Sequence, residues 1–283
     1  MSVKSTFKAI AFIALGAVAF QANAQKITMP APSPAQTISQ KFGLGDVTVE
    51  YSRPAAKGRT VFGDIVPFGK VWRTGANATT KITFTSDVKV EGKDVKAGTY
   101  GLYSIPNKDS WEVMLYNDVT LNGNVAEYKT ENEVARFKVS TKKTGTYVES
   151  FTIGLDNVLP TEALLTLSWE NTAVSLKLTT DIDAAVMKSI EESMKSETPD
   201  YFRAAQYYLE NGKDLKQALT WVNKAVEANP TAFYMFYTKA RIEYALKDKA
   251  AGKASAEKTI ALAKEAKNDD YISLATKLIA ENK

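Results

Sequence analysis

Arg53, Arg59 and Arg73, with Trp72 and Asn77 flanking the last of them, are the residues of this chain best equipped to handle a ligand. A guanidinium offers planar, bidentate donors that match a carboxylate or a phosphate, and an indole beside it supplies an apolar platform. The three arginines alternate with apolar anchors at Val61, Phe62, Phe68 and Trp72, and with turn formers at Pro54, Gly58, Gly63, Pro67, Gly69 and Gly75. Gly75 permits a tight turn, so the Arg73 head and the Asn77 amide can converge from either side of it. The candidate ligand-binding set is therefore Arg73 and Asn77 as lining, Trp72 as support, and Arg53 or Arg59 as a second charge. A structural reading competes with it. Loops that Gly and Pro bend away from a ladder leave carbonyls unpaired, and Arg is a common donor to them. The spacing alone does not choose between the two.

Composition removes most other chemistry. The chain has no histidine and no cysteine, which excludes a Ser-His-Asp triad, a thiol nucleophile, disulfides and a His- or Cys-ligated zinc. Carboxylates remain, as do Lys or Tyr as acid or base, and oxygen-ligated calcium. A glycosidase needs two carboxyls about 5–9 Å apart with one held protonated. Glu50, Asp64 and Asp118 sit near aromatic residues in sequence, but no catalytic motif surrounds them, and no residue is assigned a catalytic role. There is no D-x-D-x-D-G calcium loop, and the glycines at 58, 63 and 69 do not form a phosphate loop. No metal site or cofactor is expected. Lys and Arg total 36 against 32 Asp and Glu, a near balance that predicts no nucleic-acid footprint.

The elements that must position the arginines are strands. From Gln36 to about Thr180 the hydrophobic period is two: Val47, Val49 and Tyr51 alternate with polar neighbours, as do Ile82 and Phe84. Trp111, Val113 and Leu115 alternate with Glu112, Met114 and Tyr116. Tyr100 and Tyr103 must then point to opposite faces, and one of them, if exposed beside Trp72, would line a shallow sugar-binding groove. Turns are expected at Gly43-Leu44-Gly45, Glu91-Gly92-Lys93, Pro106-Asn107-Lys108-Asp109 and Lys143-Thr144-Gly145. Leu165, Leu167 and Trp169 face Val174, Leu176 and Leu178 across Glu170-Asn171-Thr172-Ala173 in an expected hairpin. Roughly ten short strands without intervening helices predict an all-β antiparallel sandwich or jelly roll over residues 36–180.

The period then changes to that of a helix. Ile182, Val186, Ile190 and Met194 lie on one helical stripe. Asp200 is placed to cap a helix that stops at Asn211-Gly212, and a second runs to Pro230. This pair resembles a tetratricopeptide repeat, with Tyr201, Ala205 and Tyr208 at first-helix packing positions and Ala218, Val222, Ala225 and Pro230 at second-helix ones. A weaker copy follows, with Ala240 and Ala254 as its small crossing residues and Ala261 echoing Ala225. A terminal helix from Asp269 would turn Ile272, Ala275 and Ile279 inward. The α-helical segment is thus 181–283, and its likeness to such repeats implies a concave face, expected to contain Tyr208 or Tyr237, that holds a protein or extended peptide.

The stretch Tyr51–Thr80, above all Trp72-Arg73-Thr74-Gly75-Ala76-Asn77, together with Gly98–Pro106, resembles the signature of a secreted bacterial family named only as domain of unknown function 2911. The resemblance covers about residues 33–178 and lends no activity. Export is read separately from the N-terminus. Lys4 and Lys8 precede the apolar run Ala9–Phe20, and Ala22-Asn23-Ala24 forms a cleavage box. Residues 1–24 are expected to be a signal peptide, cut after Ala24, with a Pro-rich leader over 25–35. The run is too short to span a bilayer, so membrane insertion is not expected. Together these features predict an exported, non-catalytic binding or scaffold protein of the periplasm or exterior. Its β-domain would recognise an envelope glycan or a small anionic ligand, and its helices a protein. A carboxylate-dependent hydrolase and an assembly component making protein contacts only are the alternatives.

Overall fold

A computed structural model describes residues 28–282; the expected signal peptide and the first residues of the leader lie outside the described residues. Ten strands form two antiparallel sheets. The larger is ordered β1 (Ala35–Phe42), β2 (Gly45–Ser52), β3 (Lys81–Phe84), β6 (Gly98–Pro106), β7 (Ser110–Tyr116), β8 (Glu133–Ser140). The smaller is ordered β5 (Lys93–Val95), β4 (Val88–Val90), β10 (Glu162–Thr179), β9 (Lys142–Asp156). Their facing residues, including Val47, Val49, Ile82, Leu102, Trp111, Val113, Leu167 and Trp169, make one continuous core.

The alternation in β7 holds, yet both of its faces are covered. Trp111, Val113 and Leu115 enter the sandwich core. Met114 and Tyr116 point outward and join Tyr103 in a second apolar layer, packed by Val71, Leu121, Val125 and Tyr128. The segment between β7 and β8 folds back to roof that layer. The Tyr116 hydroxyl accepts from Lys129 N at 3.0 Å and from Asn132 Nδ2 at 3.2 Å.

Two expected turns are corrected. β10 does not fold into a hairpin: it is one strand of 18 residues. Its register shifts on either side of Glu170, which sits at φ 50°. A bulge inserts a residue and changes the face that later side chains occupy. The inward set therefore moves from Leu165, Leu167 and Trp169 to Val174, Leu176 and Leu178, a phase change that reads in sequence like two hairpin arms. Lys143-Thr144-Gly145 is likewise no turn. It lies inside β9 beside the bulge, where Thr144 Oγ1 donates to Glu170 O at 3.1 Å.

Six helices follow: α1 (Asp183–Met194), α2 (Tyr201–Glu210), α3 (Leu215–Ala228), α4 (Phe233–Ala245), α5 (Lys249–Glu265) and α6 (Asp269–Glu281). Asp200, Asp214, Asp248 and Asn268 cap α2, α3, α5 and α6 through their side chains, each satisfying amides that the first turn leaves free. α2 pairs with α3, α4 with α5, and α6 packs on α5 and α4. Asp183 ties α1 to this stack, accepting from Tyr207 Oη at 2.8 Å and from Lys213 Nζ at 2.8 Å. The second-copy register is corrected. α3 buries Ala218, Val222 and Ala225, and the buried positions 34 residues later are Gly252, Ala256 and Thr259. Ala254 and Ala261 are exposed. Gly252 takes the crossing because the Tyr244 ring occupies the space, with Cγ 2.8 Å from where a Cβ would stand. Among the described residues no helix is long and apolar enough to cross a membrane.

Candidate functional site

Between β2 and β3 the chain leaves the ladder for the whole Arg53–Thr80 excursion. It touches the larger sheet again at Trp72, whose amide donates to Ser104 O at 2.7 Å while Ser104 N donates to Trp72 O at 2.9 Å. Trp72 thus stands beside β6 just past the residues that pair with β3. Its indole packs against the sandwich core. It stacks on Trp169 with ring centroids 5.9 Å apart, meets Phe151 at 5.0 Å and Trp111 at 6.1 Å, and donates from Nε1 to Gly75 O at 3.1 Å.

The next residues are held in an unusual backbone. Thr74 lies at φ 54°, a conformation that costs a β-branched residue strain. It is fixed there by Ser104, whose Oγ is 2.9 Å from Thr74 Oγ1, and by Thr80 Oγ1, which donates to Thr74 O at 2.7 Å. Gly75 is required by proximity, since a Cβ would stand 2.8 Å from Thr80 Oγ1 and 3.2 Å from Ser52 O. This clamp fixes where Arg73 departs from the chain.

The three arginines have different fates. Arg53 reaches β9, donating from Nε to Phe151 O at 3.1 Å and from Nη2 to Thr152 Oγ1 at 2.7 Å. Arg59 closes its own loop on Ala56 O at 2.9 Å and Ala55 O at 3.0 Å. Both behave as carbonyl donors. Asn77 clasps the lead-in to β1, with Nδ2 donating to Ser33 O at 3.2 Å and Ser52 Oγ at 3.3 Å. Arg73 alone of the five has its polar head uncommitted. Its Nε is buried without a partner, and its Nη1 rests against the backbone of Gly123. Two other buried side-chain atoms among the described residues lack partners, Trp111 Nε1 and Glu243 Oε2; of the three residues, Arg73 lines the cleft described next.

That cleft has a volume of about 310 Å³. Pro54, Val66, Pro67, Val71 and Val125 form apolar walls, Trp72 and Trp169 the aromatic part, and Lys70 and Arg73 the charged part. The structure brings Arg73 and Trp72 together here and leaves Arg53, Arg59 and Asn77 outside the lining. Lys70, Gly123, Val125 and Trp169 were not read from sequence as site residues. Lys70 carried a signal, because it sits within the Arg/Gly-rich segment. Trp169 arrives from β10 and Gly123 from the roof segment, and nothing near either marked it.

No carboxylate lines the cleft. Glu50 and Asp118 line two separate hollows, and Asp64 is exposed on its loop. The Thr120 hydroxyl and amide, both donating to Asp118 at 2.7 Å, hold its carboxyl below the usual range, the opposite of what a proton donor requires. Among the described residues no cluster of acids could hold a metal ion. Tyr100 and Tyr103 point to opposite faces as expected, but both are buried. The tyrosine-lined groove expected beside Trp72 does not form, because the roof segment covers Tyr103. In the helices, Tyr208 is half-buried edge-on against Trp221 at 4.7 Å and lines a hollow beside α1 with Met187 and Met194. Tyr237 packs on Tyr271 of α6 at 5.5 Å. Tyr237 does not line that hollow.

No curated protein matches the chain. The sequence model of the family described as protein of unknown function, DUF2911, matches residues 33–178, from the lead-in to β1 through the penultimate residue of β10, with every residue of the cleft inside the match; the chain belongs to that family.

Proposed function

We propose that this is an exported, non-catalytic binding protein whose sandwich captures a small anion in the Arg73 cleft. The observation that carries the reading is the uncommitted Arg73 guanidinium in a cleft that Trp72 and Trp169 also line, with Lys70 as a second cation and no acid in the lining. Hydrogen bonds to a charged guanidinium are about twice as strong as neutral ones, and no described residue pairs with the terminal nitrogens of Arg73. The lack of a carboxylate in the cleft disfavours the hydrolase alternative. Export rests on Lys4, Lys8, the apolar run to Phe20 and the Ala22-Asn23-Ala24 box; the intact mass of the product recovered outside the cytoplasm should correspond to a chain starting at Gln25. The hollow beside α1, with Tyr208 and Trp221 in its wall, is the place we assign to a protein partner.

The test is a thermal-shift panel of phosphate, acetate, hexanoate, 3-phenylpropionate and glucuronate. Ligand that binds only the folded state raises its melting temperature with concentration. At least one anion should stabilise the wild type and fail to stabilise Arg73→Gln. A panel that leaves the wild type unmoved, or moves both proteins equally, overturns the reading.

A further inference from the structure

Lys70 and Arg73 carry the charged side chains of the cleft, and its other side chains are apolar or indole. No Ser, Thr, Asn, Gln, Asp, Glu or Tyr side chain lines it. Its two indole donors are committed, Trp72 Nε1 to Gly75 O at 3.1 Å and Trp169 Nε1 to Glu149 O at 3.1 Å. Lys70 and Arg73 are the remaining side-chain donors, and neither makes an ion pair or hydrogen bond with a described residue.

Such a lining discriminates among anions. A sugar acid or a nucleotide carries several hydroxyls or ring nitrogens, and each one buried without a partner is costly. Inorganic phosphate would place its remaining oxygens against valine and proline. A ligand with one anionic end and an apolar body satisfies both parts of the cleft. The guanidinium orientation refines the choice of head group. Nε is buried and Nη1 rests against Gly123, so the guanidinium meets the cleft through its terminal nitrogens, whose charged donors suit the two oxygens of a carboxylate. The volume of about 310 Å³ lies at the small end of the range for small-molecule sites, about 300–1,000 Å³.

We infer that the Arg73 cleft selects a small monocarboxylate with an aliphatic or aromatic body. The inference rests on the anion-binding reading above and narrows its ligand class. The carboxylate sits on the terminal nitrogens of Arg73 with Lys70 as the second charge, and the body lies on Trp72 between Val66, Val71 and Val125. Envelope glycans are poor occupants of this cleft, for want of the neutral hydrogen-bonding side chains that read hydroxyls.

Titration calorimetry on the full mature chain tests it, with acetate, butyrate, hexanoate and octanoate as a series. 3-Phenylpropionate, its neutral amide, glucuronate, phosphate and a short peptide ending in Phe complete the probes. Affinity should rise about three- to fourfold per added methylene until the cleft is full. The amide should bind at least about tenfold more weakly than its acid, matching the loss of a charge-assisted bond. Arg73→Gln should weaken every acid, and Lys70→Gln should do so to a smaller degree. A flat chain-length series, or glucuronate and phosphate binding as tightly as hexanoate, overturns the ligand class while leaving anion capture standing. Tighter binding of the peptide than of 3-phenylpropionate overturns it in favour of a protein C-terminus. Silence from every anion overturns the anion-binding reading itself.

Discussion

Gly123 lies against the head of Arg73: a Cβ built on Gly123 would stand 2.1 Å from Arg73 Nη1. The contact joins two segments that are distant in sequence, and it sets the direction of the guanidinium without any hydrogen bond. Gly123 is not among the residues with positive φ, so its value here is the missing side chain and not its backbone freedom.

Gly123→Ala should therefore displace Arg73 without harming the fold. The end of a long side chain yields cheaply, and an exposed site costs within about 0.5 kcal/mol. The expected result is an unchanged denaturation midpoint together with about tenfold weaker binding of hexanoate, the size of one charge-assisted hydrogen bond. Unchanged binding would show that the position of the guanidinium set by Gly123 does not matter.

Arg53→Ala and Arg73→Ala should separate in stability. Arg53 supplies two hydrogen bonds to β9, and losing them should cost about 1–3 kcal/mol. Arg73 supplies none, and its Nε is already unpaired, so its removal in ligand-free protein should change stability by no more than about 0.5 kcal/mol. Urea denaturation of both variants decides the matter. A loss for Arg73→Ala as large as that for Arg53→Ala would make Arg73 a structural residue.

The sandwich was legible because alternation survives in most strands, and the Tyr51–Thr80 segment stood out because its glycines and arginines suit no regular strand. What each arginine does was not legible. The same side chain serves a carbonyl or a ligand according to which way the excursion bends, and Trp72 settles that by pairing with Ser104. The β10 bulge at Glu170 and a hairpin turn demand the same local residues, so Glu170-Asn171 could not tell them apart. In the alanine-rich α5, Ala254 and Gly252 both pass as small crossing residues, and only the position of the Tyr244 ring selects Gly252. The cleft wall at Trp169 depends on sheet-to-sheet packing, which no local pattern carries.

The roof over the outer layer should loosen in acid. Burial raises the Glu133 carboxyl, but Arg136 Nε donating at 2.9 Å and Tyr128 Oη at 3.0 Å outweigh it and hold its pKa below the ordinary 4.5. A carboxyl depressed by folding stabilises fully above its unfolded value, and that contribution disappears as pH falls through the folded one. Glu133→Gln should thus be less stable than wild type near pH 7, and the gap should close as pH drops below 4.5. Urea midpoints at pH 7, 5 and 3 read this directly. A gap that stays constant with pH would mean that the ionised carboxylate contributes nothing there.

Gly252→Ala tests the helical packing through the sign of its effect. Inside an exposed helix, replacing Gly with Ala stabilises by roughly 1 kcal/mol. In α5 the new methyl would meet Tyr244 Cγ at 2.8 Å and Cδ1 and Cδ2 at 2.9 Å. The buried face of a ring cannot turn aside as a lysine tip would, so overpacking of about 1–3 kcal/mol should exceed the propensity gain. The variant should be destabilised, with loss of helical circular dichroism at lower temperature than wild type. Tyr244→Leu alone removes part of the packing. In that background, however, adding Gly252→Ala should become neutral or stabilising, because the ring that opposed it is gone. A double-mutant cycle measures the coupling as a change of sign. If Gly252→Ala stabilises the otherwise unaltered protein, α4 and α5 do not approach as closely as this crossing requires, and the close pairing of these two helices through Gly252 fails.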